Sequence, residues 1–429
     1  MRRVLLIAVV ILGVVTGAHP QSAVLPPTTA FCLAQQRLVD QYIGPLVKPP
    51  LATSSDTLKA VGAVVVTLQL GQQACFMSSG EIELGSGVAP DANTIFELAS
   101  VTKVFTTAIL GIRAASGDLD VNAQVEPYLP HRYHLLMNEQ GVTFQQLATF
   151  TGGFSWNDPP GFKNGERYPQ SAFIEQVNSL DPTVPIKKKA KGPISDDSPL
   201  PTFNFYSNGS TGFLGQILMH MDSKKNGQRY PFHPKGFSDW IAANLTGRLN
   251  MPNTAVHPGG VLAQGYAYGA GRCSADTAYC QEPPFLWEPW GAAGALRSNA
   301  VDMQKFLAAN ICAHHINDPA CAGLPQDVLA GLKTAHAPNK YTPPGTMPDP
   351  IIYIGDGSRV EQAYAWRYLT PPDPNPKNET PIISKDGGHP GFSTWIGFSP
   401  HKSYGVVILM NTGGINLINE GQDIIKHTP

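Results

Sequence analysis

Ser100 and Lys103 stand three positions apart in FELASVTKVFTTAIL, at the start of an apolar stretch with helical spacing. Residues i and i+3 share a helix face, so the ammonium of Lys103 lies beside the Ser100 hydroxyl. A serine hydroxyl is a weak nucleophile until its proton is removed. A lysine in a dry site can lose its own proton and act as that base, or stay charged and stabilise the alkoxide. A helix N-terminus adds N–H groups and positive potential where negative charge would develop. The same serine also suits a simple helix cap. The spacing occurs a second time at Ser399 and Lys402, in a polar turn after a strand where Pro400 opposes helix geometry.

Two further constellations carry chemistry. Tyr206-Ser207-Asn208 places a phenol and an amide two positions apart, on one side of an extended backbone. A phenol near a serine-lysine pair can relay a proton to a leaving group, and an Asn amide can hold a substrate carbonyl. The competing interpretation is a surface turn, favoured by Asn208-Gly209. Lys385-Asp386-Gly387-Gly388 ends an expected strand before HPGFSTWIGFSP. Glycines on an edge strand permit close approach by a ligand, and the Gly388 N–H could complete an oxyanion hole with that of Ser100. A strand end with a Gly-rich turn accounts for the same residues. His389 is read as a possible substrate contact or a surface turn histidine; Trp287, Trp290 and Trp395 as cleft or core residues.

The elements around these residues alternate in type. Phe31 to Val47 has helical spacing weakened at Gly44-Pro45, and Ala60 to Leu70 with GQQACFMSS reads as a β-hairpin. Helical stretches follow from Ser100 to Ala115, from Thr211 to Met221, and from Ala300 to Ile311 behind a cap at Ser298 or Asn299. Strands return at Tyr364 to Leu369, Pro381 to Lys385, Ser393 to Phe398 and Tyr404 to Met410, and a helix from Leu417 to Lys426 closes the chain. Strands near both ends with helices between predict an α+β member of the α/β class, one antiparallel sheet built from distant segments.

Composition sets the outer bounds. The 429 residues are 42% hydrophobic and 14% charged, with 42 glycines and 39 prolines, which describes a globular, loop-rich chain. A formal net charge of −2 provides no global field for nucleic acid, and the basic run Lys187 to Lys191 reads as a solvated loop. Arg2 and Arg3 precede an apolar run from Val4 to Val15 that ends in Thr16-Gly17-Ala18, the pattern of a secretory signal peptide, with an uncleaved anchor as the alternative. Export would suit six cysteines. Cys273 with Cys280 and Cys312 with Cys321 can close short loops, leaving Cys32 with Cys75; six buried thiols is the other possibility. No Gly-x-Ser-x-Gly elbow, P-loop, His-Glu-x-x-His or metal-ligand spacing occurs. Asn208, Asn244 and Asn378 head formal glycosylation sequons.

Taken in order, Ser-x-x-Lys, Tyr-Ser-Asn and Lys-x-Gly on a strand resemble the serine β-lactamase and penicillin-binding protein family, specifically its class C and carboxypeptidase branch. Similar stretches include LATFTGGF from Leu147, YSNGSTGFLG from Tyr206, RLNMPNTAV from Arg248, GAAGALRSNAVDMQKFL from Gly291 and YGVVILMNT from Tyr404. The resemblance implies a β-lactamase-like antiparallel sheet flanked by helices, with residues 1–18 as signal, 19–57 as an N-terminal extension and 58–429 as the hydrolase domain, helical insertion about 117–360. It implies Ser100 as acylated nucleophile, Lys103 as its proton partner and Tyr206 as general base or acid. Asn208, Lys385, Gly387 and Gly388 would bind substrate. It implies no cofactor and no metal, a secreted or periplasmic enzyme without stable membrane insertion after signal removal, and no nucleic-acid partner. The substrates implied are small molecules or peptidoglycan peptides: D-Ala-D-Ala peptides or β-lactams. The Cys273 to Cys280 loop resembles one in a D-alanyl-D-alanine carboxypeptidase/endopeptidase subgroup. Asp386 departs from the usual Thr or Ser, and a carboxylate there would repel a substrate carboxylate, which motivates an esterase as the alternative. Phe150 stands where related sequences carry His, and no counterpart of the class A deacylating Glu is apparent. A penicillin-binding sensor that is acylated without turnover is a further alternative.

Overall fold

The computed structural model describes residues 29–47, 58–129, 142–152, 206–226, 234–269, 273, 279–284, 291–338, 352–353, 359–370 and 380–428. The strands in chain order are β1 (Gly62–Gln69), β2 (Cys75–Gly80), β3 (Phe96–Glu97), β4 (Gly265–Tyr268), β5 (Tyr279–Glu282), β6 (Arg297–Ser298), β7 (Ile352–Tyr353), β8 (Arg359–Gln362), β9 (Arg367–Thr370), β10 (Ile382–His389), β11 (Phe392–Ser399) and β12 (Tyr404–Met410). Eight of them form one sheet in the order β2-β1-β12-β11-β10-β9-β8-β7, and each neighbouring pair is antiparallel. β1 therefore pairs with β12 from the far end of the chain, as the separated strand-like segments predict. β3 with β6 and β4 with β5 form two small sheets.

The central strands are apolar almost throughout because helices cover both faces. Val64, Val66, Ile396, Val407 and Leu409 point into the larger core with the helix Thr102–Ala115. Their alternating neighbours Ala63, Val65, Trp395, Val406 and Ile408 point to a second core covered by the helices Ala30–Tyr42 and Ile418–His427. Trp395 is thus a core residue, whereas Trp287 and Trp290 lie outside the described residues, as do the proposed signal segment, the Lys187 to Lys191 run and Asn378. Disulfides join Cys32 to Cys75, Cys273 to Cys280 and Cys312 to Cys321, the pairing expected from spacing. Among the described residues, no helix is long and apolar enough to cross a membrane.

Three local differences from the sequence expectations bear on the site. Ser100 lies in a one-turn 3-10 helix, Ala99–Val101, and the α-helix begins at Thr102. The Tyr206-Ser207-Asn208 segment enters a helix at its third residue: Ser207 Oγ accepts the Ser210 N–H at 3.1 Å, capping a helix that starts at Asn208 rather than Thr211 and runs to Asn226. Finally, β10 does not stop at Lys385 but continues through the glycines, because Gly387 and Gly388 keep register with Thr394 and Ser393 of β11. The Thr102–Ala115 helix itself is seated by a glycine contact. A Cβ on Gly111 would lie 2.2 Å from the carbonyl oxygen of Gly331 in the helix Gln326–His336, so only hydrogen at this position lets the helices meet.

Candidate active site

The 3-10 turn, the start of the Asn208–Asn226 helix and β10 bring Ser100, Lys103, Tyr206, Asn208 and Lys385 together. Lys103 Nζ lies 3.1 Å from Ser100 Oγ, 2.7 Å from Asn208 Oδ1 and 2.8 Å from the Ala293 carbonyl oxygen. The Lys103 side chain is fully buried. Burial, joined by the positive charge of Lys385, pushes its pKa well below the ordinary lysine value of 10.5, with Asp386 opposing. A neutral amine has two N–H bonds and one lone pair. Asn208 Oδ1 and the Ala293 carbonyl can take the two N–H bonds, which leaves the lone pair for the Ser100 proton.

The Tyr206 hydroxyl donates to the same Ser100 oxygen. Burial raises the Tyr206 pKa above its ordinary 10.0, so the phenol keeps its proton at neutral pH. The Nζ atoms of Lys103 and Lys385 lie 4.8 Å and 5.0 Å from the centre of the Tyr206 ring. Phe150, which is buried, packs against the same ring with ring centroids 5.0 Å apart. The Phe150 departure is therefore a packing contact on the phenol. Ser210 Oγ also donates to the Leu147 carbonyl at 2.7 Å, which ties the Tyr206 segment to the helix Phe144–Ala148.

On β10 the alternation of faces divides the third motif. The buried Lys385 places Nζ 2.6 Å from the Asp386 carbonyl oxygen and 3.2 Å from Asp386 Oδ1. The Asp386 side chain remains 47% exposed, and the adjacent Lys385 charge holds its pKa down at about 2. A Cβ on Gly387 would lie 2.4 Å from both the Leu98 carbonyl oxygen and Thr394 Oγ1 and 3.1 Å from the Val101 nitrogen, so this glycine packs on the Ser100 turn. A Cβ on Gly388 would meet nothing within 4 Å. β9 pairs only with Ile382, Ile383 and Ser384 of β10. Among the described residues, no strand pairs with the edge of 385–389 that faces away from β11.

Some participants have no signature in the sequence. The Ala293 carbonyl is a backbone atom 190 positions from Lys103, and Ala99 holds φ of +46°, a conformation that alanine rarely adopts. His389 is not a surface residue: its side chain is 4% exposed, with Nε2 2.6 Å from Glu97 Oε2. Two of the sequons have engaged side chains, since Asn208 accepts from Lys103 and Asn244 Nδ2 donates to the Trp240 carbonyl at 2.9 Å. Among the described residues, no group of three His, Cys, Asp or Glu side chains is arranged to hold a metal ion.

A helix-covered antiparallel sheet with a serine held between a buried lysine and a phenol is the architecture of a β-lactamase-like serine hydrolase. The Beta-lactamase family model matches residues 39–421, and the chain belongs to that family. It is 22% identical over 388 residues to a β-lactamase of Escherichia coli K12, an alignment covering 86% of this chain and 89% of that one. It is also 22% identical over 429 residues to the D-alanyl-D-alanine-carboxypeptidase/endopeptidase AmpH of the same bacterium, across 99% of this chain and 95% of that one. In structure it is similar to a class C β-lactamase, with a TM-score of 0.65 at 18% identity over 92% of this chain and 97% of the other. A β-lactamase/D-alanine carboxypeptidase from Pseudomonas syringae gives 0.63 at 18% identity, over 92% and 99%. The enzyme is a serine hydrolase of this family.

Proposed function

We propose that the enzyme hydrolyses D-Ala-D-Ala-type peptides or β-lactams through an ester on Ser100. The observation that carries this reading is the placement of Ser100 Oγ between the depressed Lys103 amine at 3.1 Å and the protonated Tyr206 phenol. Lys103 takes the Ser100 proton as Oγ bonds to the substrate carbonyl carbon, and the carbonyl electron pair moves to its oxygen. The N–H groups of Ser100 and Gly388 receive that oxygen. The carbonyl re-forms as the C–N bond breaks, and Tyr206 protonates the departing amine, recovering a proton from Lys103. Water then attacks the ester by the same proton route in reverse. Asn208 holds the substrate carbonyl side, and the edge of 385–389 with which no strand pairs among the described residues, with Gly387 and Gly388, receives an extended substrate.

The mechanism uses no cofactor or metal. The apolar N-terminal run and the three disulfides support export to a secreted or periplasmic location, with residues 1–18 removed, 19–57 as an extension and 58–429 as the hydrolase domain, whose helical insertion spans about 117–360. Peptidoglycan peptides are the natural partners in that location.

A second reading, an esterase of the same fold, is favoured by Asp386. Its ionised carboxylate sits 3.2 Å from Lys385 Nζ and offsets the charge that would attract a substrate carboxylate. Steady-state turnover of a D-Ala-D-Ala peptide, nitrocefin and p-nitrophenyl esters by wild type and Asp386→Thr separates the two. The peptidase and lactamase reading expects the carboxylate-bearing substrates to lead already in the wild type. Ester turnover that leads by orders of magnitude, with carboxylate substrates gaining only in Asp386→Thr, would establish the esterase.

A further inference from the structure

The sheet grips the chain just before the nucleophile with more than packing. Glu97 lies three residues before Ser100, and His389 directly follows Gly388. The two side chains meet in a buried contact, His389 Nε2 to Glu97 Oε2 at 2.6 Å, with 4% and 3% exposed. The Gly391 N–H donates to His389 Nδ1 at 3.3 Å, which holds the ring with Nε2 facing the carboxylate. The other carboxylate oxygen is occupied separately: Arg297 Nε and Nη2 donate to Glu97 Oε1 at 3.1 Å and 2.9 Å. Arg297 is itself held opposite Glu97 in the β3–β6 pair and reaches His257 Nδ1 at 3.0 Å. Burial alone would raise the Glu97 pKa; His389 and Arg297 more than offset it and hold the carboxyl below its ordinary 4.5.

What this contact spans is a strained turn. Ala99, between Glu97 and Ser100 in the chain, holds φ of +46°, and such a conformation persists only where its surroundings impose it. Leu98 is pinned on both sides, its N–H donating to the Leu296 carbonyl at 2.8 Å and its carbonyl accepting from Thr394 Oγ1 at 2.9 Å. Lys385, Gly387 and His389 occupy one face of β10 by the two-residue period. That face therefore meets the catalytic region at three levels, with Gly387 against the turn and His389 against Glu97.

We propose that the Glu97–His389 pair is a clamp that positions the nucleophile: it fixes the strained Ala99–Ser100 turn against β10, so that the N–H groups of Ser100 and Gly388 keep the separation the developing oxyanion needs. Both are positioning residues, acting through the backbone they hold. The proposal rests on the acyl-transfer reading of Ser100. Misalignment of such donors weakens the transition state and leaves ground-state binding nearly unchanged.

The test compares His389→Met, which fills the volume without donating a hydrogen bond, with His389→Gln, which retains a donor of similar reach. p-Nitrophenyl acetate is the substrate and phenylboronic acid the tetrahedral mimic. His389→Met is expected to lower kcat about 100-fold, with KM within about twofold and the phenylboronic acid Ki weakened in parallel with kcat. His389→Gln is expected to recover most of both losses. Ala99→Gly relieves the strain, so adding it to His389→Met is expected to restore kcat about 10-fold. Ala99→Gly also supports folding of the turn if His389→Met alone folds poorly. Unchanged kcat and Ki in folded His389→Met would overturn the clamp. So would an equal loss in the Met and Gln variants that Ala99→Gly leaves untouched. Ser100→Ala, assayed alongside, separates the two claims: its inactivity upholds the acyl-transfer reading whatever the His389 variants do, whereas its retained turnover overturns both.

Discussion

The molecule contains the same serine–lysine spacing twice, and the two copies have opposite fates. At the first, Ser100 and Lys103 are both buried, and Lys103 Nζ turns back to Ser100 Oγ. At the second, Ser399 is buried just as well, but Lys402 points away from it: Nζ donates to the Lys426 and Thr428 carbonyls at 2.8 Å and 2.6 Å, fastening the end of the chain. Only the Lys402 backbone N–H reaches Ser399 Oγ, at 3.3 Å. Burial of the serine therefore does not by itself bring a lysine amine to its hydroxyl. At Ser100 the lysine is trapped beside the serine in a dry site, with acceptors for its N–H bonds and a neighbouring cation that favours the neutral amine.

The largest test of that contrast is the paired alanine exchange. Ser100→Ala should lower kcat by about 10⁶-fold, the scale seen when a catalytic nucleophile is removed, and Ser399→Ala should leave kcat unchanged in the same assay. Lys103→Met should follow with a loss of about 10³-fold or more, against no change for Lys402→Met.

The lysine also sets the sign of the pH dependence. If neutral Lys103 is the base, acylation accelerates as pH rises through its depressed pKa. Asp386 raises that pKa and Lys385 lowers it. Asp386→Asn should move the acid limb of kcat/KM to lower pH, and Lys385→Met should move it to higher pH. Shifts in a common direction would separate the limb from Lys103.

Smaller effects sharpen the structural side. Gly387→Ala forces a Cβ to within 2.4 Å of Leu98 O and should destabilise the fold by about 1–3 kcal/mol in urea titration, with a loss of activity. Lys402→Ala should cost about 1 kcal/mol for its two carbonyl contacts and nothing in kcat.

Much of this was legible in the sequence because it depends on local chemistry. The apolar helix after Ser100, the β-branched strands and the three disulfides follow from spacing and residue type. The different settings of Ser100 and Ser399 were also legible, through the apolar helix on one side and Pro400 on the other. What was not legible depends on distant partners. Nothing in GGHPGF tells that His389 reaches Glu97 across the fold, and a turn histidine beside glycines and proline reads as exposed. The extension of β10 through Gly387 and Gly388 was hidden because glycine ordinarily weakens a strand; here the missing side chain at Gly387 is what allows the strand to pass the Ser100 turn. The positive φ of Ala99 has no sequence signal at all.

The central claim is the covalent step at one of two similar serines. Intact-mass spectrometry of wild type, Ser100→Ala and Ser399→Ala after incubation with a fluorescent penicillin tests it directly. The account predicts a single adduct on wild type and on Ser399→Ala and none on Ser100→Ala. An adduct that persists in Ser100→Ala, or that vanishes only in Ser399→Ala, would contradict it.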